Sequence, residues 1–159
     1  MKRGDQMSHA SHVFPASPDA DPTNRYPHAA EWAYALLRVA AGLMLVPHVW
    51  PKLMAGPTAI AANVMARRGL EPSLFFAYAA IAFELAGIIL ITLGLFTRIM
   101  AVLLVIEFVF IVYVHPASGG WAASTQGAEF PFIWLIVWTF IAVRGGGPYS
   151  LDAKLNMPF

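Results

Sequence analysis

The sequence predicts an all-α integral membrane protein, a four-helix bundle with a short interfacial helix between its first two spans. Three observations predict it. Hydrophobic residues make up 58% of the 159 residues and charged residues 12%, with a mean hydropathy of +0.62, whereas a soluble domain carries roughly a quarter charged residues. The apolar residues gather into four stretches near the length that crosses about 30 Å of hydrocarbon at about 1.5 Å per residue. Each stretch also holds ionisable side chains that hydrocarbon penalises: Arg38 and His48, then Glu84, then Glu107 and His115, then Glu129 and Arg144. Those groups must face one another or a wet cavity, so the stretches must pack together.

Residues 1–28 read as a disordered tail. They are rich in Pro, Ser and Asp, with no run able to bury a face. Lys2 and Arg3 are not followed by the apolar stretch of a cleaved signal peptide, and His9, His12 and His28 read as solvated rather than metal-binding. The four-span domain covers residues 29–152, and residues 153–159 form a C-terminal tail.

Span one covers residues 31–53. Pro47 and Pro51 each remove a backbone donor near its end, so the helix should kink or loosen around His48. Residues 55–72 follow, within which 59–68 has the pattern of an interfacial helix placing Arg67 and Arg68 among headgroups; a lid over a pocket is the other reading. Span two covers residues 73–95 and span three 98–115. The turn between them is so short that the two must be antiparallel neighbours. Thr97 is placed to cap span three, with Arg98 reaching headgroup phosphates or the carbonyls that end span two. Span four covers residues 129–144, and Gly145 to Gly147 followed by Pro148 reads as a helix stop.

With the N-terminus in the cytoplasm, that side carries Arg25, Arg98, Arg144 and Lys154. The other side carries Lys52, Arg67 and Arg68, with no charge over residues 116–128. The balance favours both termini inside.

Depth along the spans sorts the ionisable residues into two layers. Arg38 lies about 10 Å into span one and Glu84 and Glu107 about 14 to 17 Å from the same face, at a shared central level. Two readings are open for it: a structural clamp in which Arg38 holds the carboxylates, or a proton-handling or ligand-binding site. His48, about 25 Å along span one, converges with Lys52, His115 and Glu129 near the opposite face. This shallow layer reads either as interface residues reaching water or as a quinone pocket. In the pocket His48 donates to a carbonyl and Glu129 exchanges a proton, while Trp50, Trp134, Phe130 and Trp121 supply aromatic lining or interfacial anchors.

Other chemistries are excluded or disfavoured. A formal net charge of +1 without a basic face argues against nucleic acid. Absent cysteine excludes disulfides, thiolate metal ligands and iron–sulfur clusters held by this chain. Haem ligation by His48 and His115 is disfavoured because no second matched pair occurs and both lie beside proline. No Glu-x-x-His pair suits a di-metal site, so no metal is expected. A solute carrier would need an inverted repeat or oligomer.

Several strings, taken together and in order, resemble the DoxX family of small four-helix membrane proteins. They are Leu36-Leu37-Arg38, Gly42, Pro47-His48 and Lys52-Leu53; Phe83-Glu84-Leu85-Ala86-Gly87; Leu93-Gly94-Leu95-Phe96-Thr97-Arg98; and Gly147-Pro148-Tyr149-Ser150-Leu151-Asp152. The resemblance covers roughly residues 34–152. It implies a bacterial inner-membrane protein similar to the quinone-linked subunit of thiosulfate:quinone oxidoreductase and to membrane partners of redox enzymes. It also implies that Arg38, His48, Lys52, Glu84, Arg98 and Glu129 occupy the family's recurrent polar positions. The chain departs from the pattern at Val49, where glycine is common, and at Pro51.

Two functional expectations follow. One is a subunit of a redox or quinone-linked membrane system, binding quinone through His48, Trp50, Lys52, His115, Glu129 and Trp134. In it His48 and Glu129 handle protons, and Arg38, Glu84, Glu107 and Arg98 form a structural polar cluster. The other is an accessory subunit that anchors or stabilises a larger redox or photosynthetic complex without catalysis of its own. Expected partners are the lipid bilayer, other membrane subunits and copies of itself.

Overall fold

The computed structural model describes residues 27–114, 120–122 and 127–157. The described residues form helices and turns and no strand. Helix α1 (Pro27–Met44) passes through a turn at Leu45 into α2 (Val46–Ala55). The break falls where Pro47 has no N–H to offer the carbonyl of Leu43, and Leu45 N–H turns back to the Gly42 carbonyl at 3.2 Å. Because α1 begins at Pro27, Pro27 and His28 belong to the first helix, not to a tail; residues 1–26 lie outside the described residues.

Gly56 and Gly69, both with positive φ, bracket a further helical run. It comprises α3 (Pro57–Ile60), a π turn (Ala61–Met65) and a 3-10 turn (Ala66–Arg68), and it packs on the next long helix. That helix is α4 (Ser73–Leu93); α5 (Thr97–Val114), α6 (Glu129–Arg144) and the short α7 (Leu151–Lys154) complete the chain.

The α1–α2 unit packs on α4, α4 on α5, and α5 on α6. Side chains close the ring between α1 and α6: the Tyr34 hydroxyl donates to the Gly145 carbonyl, and Arg144 pairs with Glu31. Tyr34, Leu45, Ile91, Leu104, Phe108, Trp138 and Ile141 fill the core. Small residues set the helix spacing. A Cβ on Gly87 would meet Leu45 Cδ1 at 2.7 Å, and one on Gly42 would meet the Thr92 nitrogen at 2.9 Å.

The outside of the protein is apolar. His28–Ala55 and Ser73–Leu93 are each long and apolar enough to cross a membrane, and only 33% and 28% of an apolar 18-residue segment within each are buried. A core helix of a soluble protein would be mostly buried.

At the end of the bundle that holds the α4–α5 turn, one residue joins three elements. Asp152 accepts from the Phe96 N–H at 2.7 Å, the Thr97 N–H at 2.9 Å and the Thr97 hydroxyl at 2.6 Å, while its own N–H donates to the Gly94 carbonyl. Asp152, rather than Thr97, therefore caps α5. A carboxylate can satisfy two orphan amides at once and sits favourably at the positive end of a helix, and the Thr97 hydroxyl is left to donate. Asp152→Ala is expected to lower stability by about 2 to 3 kcal/mol, the worth of a lost charged cap with buried amides left unmet. Thermal unfolding in detergent checks this, and an unchanged midpoint would mean that water replaces the cap.

Candidate functional site

The half of the bundle away from that turn encloses a cavity of about 690 Å³. Four long helical segments build it: α2 contributes His48 and Lys52, α4 Phe83 and Glu84, α5 Glu107 and Phe108, and α6 Phe130 and Trp134. The run of residues 57–68 covers it with Ile60, Val64, Met65 and Arg68. This segment is thus helical, as the sequence predicts, and also walls the cavity.

The polar part of the cavity is an ion cluster. Lys52 Nζ donates to Glu84 Oε1 at 2.7 Å. Glu84 is almost fully buried, and its Oε2 has no hydrogen-bond partner. Glu107, 9% exposed, has neither oxygen partnered and lies within electrostatic reach of Glu84 and Lys52. The two carboxylates share a level, nine residues before the end of α4 and ten after the start of α5. Around them the wall is apolar and aromatic: His48 stacks on Phe130 with ring centres 6.2 Å apart, and Trp134 on Trp138 at 5.6 Å.

Arg38 is not part of this cluster, which corrects the expected clamp. Its guanidinium donates to the carbonyl of Ile91, to that of Thr92 at 2.9 Å and to that of Tyr149 at 2.9 Å. The first two are among the last carbonyls of α4, which carry its negative end; that of Ile91 also accepts from the Gly94 N–H at 3.2 Å. Arg38 lies at that level because α1 overhangs the bundle: Glu31 and Tyr34 already meet the end of α6. Arg98 is also at this end, exposed, where a Cβ on Gly145 would meet its Nε at 2.8 Å. The expected set of Arg38, Glu84, Glu107 and Arg98 is therefore two sites, the arginines at the α4–α5 turn and the carboxylates near mid-helix, and Lys52 is the cation that pairs with Glu84.

Of the residues expected around a ligand, His48, Lys52 and Trp134 line the cavity. Trp50 is turned to the exterior, 58% exposed. It follows His48 and precedes Lys52 by two positions, so a helix must aim it elsewhere. Glu129 opens α6 on an exposed turn, with Phe130 and Pro131 lining the cavity in its place. Trp121 is likewise exposed. His115 lies outside the described residues. Arg68 and Phe83 are additions. Phe83 precedes Glu84 and had no distinguishing signal in a helix apolar on every side, and Arg68 reaches the cavity only through the fold of residues 57–68.

A model of the DoxX family matches residues 33–116, just over half of the chain and all of the ion cluster. No curated protein and no solved structure matches the chain.

Proposed function

The chain belongs to the DoxX family, and from that premise we propose that it is a four-span subunit of a redox or quinone-linked membrane system that holds a quinone in the cavity. The observation that carries the proposal is the cavity itself. Its volume is within the roughly 300 to 1,000 Å³ typical of small-molecule sites, and it combines aromatic walls with a few convergent polar groups. Buried polar atoms without partners, on Glu84 and Glu107, support placing the head group at that end.

Four spans are supported by the outer faces of α5 and α6. Ile99, Val102, Val109 and Tyr113 on α5, and Ile133, Ile136, Phe140 and Val143 on α6, are exposed apolar side chains, as lipid contact requires. The inside-termini orientation in a bacterial inner membrane gains support from Lys52. Because it turns inward to Glu84, it does not count among the flanking charges of the opposite side.

A bound quinone supplies the two-electron, two-proton chemistry that a chain without cysteine lacks. The protein's own residues would do the rest. Phe83, Phe130 and Trp134 would hold the ring, Lys52 would donate to one of its oxygens, and His48 at the cavity wall would handle a proton with Glu129 nearby. Electrons would arrive from a partner subunit. An accessory role without catalysis is the second reading, favoured by Glu129 lying off the cavity lining.

A photoreactive short-tailed quinone added to native membranes tests the proposal. Label is expected on peptides of α4 and α6 that contain Phe83 and Trp134, suppressed by excess unlabelled quinone. Label confined to outward residues such as Val143, and not suppressed, would remove the cavity from the account.

A further inference from the structure

The polar end of the cavity has acceptors to spare and few donors aimed at them. Glu84 and Glu107 present four carboxylate oxygens, of which Lys52 engages one, and the other three have no hydrogen-bond partner in spite of burial. One proton shared between the carboxyl groups would satisfy at most one more. A ligand carbonyl brought here would set lone pairs against lone pairs. A hydroxyl would satisfy an acceptor that otherwise has lost its water for nothing.

Net charge narrows the ligand further. Lys52 and Arg68 lie in the same lining as the two carboxyl groups, so the site has no excess of negative charge to call for an organic cation. A route for a water-insoluble ligand is also present. Phe75, Ile106 and Phe110 line the cavity and are at the same time exposed on the outer surface, so it opens sideways between α4 and α5 onto the apolar exterior.

We propose that Glu107 and Glu84 make this a site for an uncharged diphenol with an apolar tail, the quinol form of the ligand in preference to the dicarbonyl quinone, entering laterally between α4 and α5. The proposal rests on the quinone reading above and adds which state is held and by which atoms.

Calorimetric titration of the purified full chain in detergent, without oxygen, tests it with three short-tailed ligands: the benzoquinone, its quinol and the quinol dimethyl ether. The quinol is expected to bind about tenfold more tightly than the other two, the order of one well-made hydrogen bond. In Glu107→Gln, which keeps the shape and offers donors, the preference should fall to within about threefold. The ether comparison is made on the unaltered protein, so it holds even if the variant fails to fold. Equal affinity for quinone and quinol would overturn the proposal and leave the quinone cavity standing. No binding of any of the three would overturn both.

Discussion

Arg38→Ala is expected to lower the stability of the folded protein by about 3 kcal/mol, because hydrogen bonds from a charged donor are each worth about 1.5 to 3 kcal/mol and do not add fully. The guanidinium is buried and joins three elements: α1, the last turn of α4 and the segment entering α7. Removing it takes the charged donor from the Ile91 and Thr92 carbonyls at the negative end of α4, of which Ile91 keeps the Gly94 N–H, and opens a space beside Gly94. Arg38→Lys should recover only part of the loss, since one ammonium on a flexible stem cannot reach three carbonyls as a planar fork does. Thermal unfolding in detergent reads both variants. An alanine variant as stable as the parent would show that the α4 terminus is hydrated and that Arg38 does not hold it.

The second large effect concerns Lys52. Lys52→Met is expected to cost about 3 kcal/mol, the low end for a broken buried ion pair because the Lys52 side chain is itself 24% exposed, since the partner charge is left with no compensation. The carboxylate left behind is 3% exposed and already has a second one for a neighbour. Lys52→Met combined with Glu84→Gln should recover most of that loss, since removing both charges together is far cheaper than removing one. A double-mutant cycle on unfolding midpoints gives the coupling directly. Near-additive single effects would mean that the pair is solvated and that the cavity is not a low-dielectric site.

Elements and their ends were legible because they rest on local chemistry. Pro47 interrupts the first helix, and Gly145 with φ of 78° ends α6 at residue 144, as read from the sequence. The pairing of side chains was less legible, for two physical reasons. Depth along a helix follows from residue number, whereas direction around it needs a polar face, and α4, α5 and α6 are apolar all round. Long side chains also act far from their own Cα, so Lys52 reaches Glu84 from the layer assigned to the opposite face, and Arg38 reaches the end of α4. One signal could have been used. His48 and Lys52 are four residues apart and share a helix face, which excludes Trp50. Phe130 and Trp134 share one that excludes Glu129. Asp152 as the cap of α5 had no local signal, since the capping side chain comes from 55 residues further along the chain.

Native mass spectrometry of the protein gently extracted from its own membranes, beside an Ala80→Trp variant that fills the cavity from α4, tests the central claim most directly. The cavity account predicts a retained mass of the quinone or quinol class on the parent protein and its loss from the variant, with any neighbouring subunits kept by both. Parent protein that retains neighbouring subunits and no such ligand would contradict it, and the accessory reading would then stand.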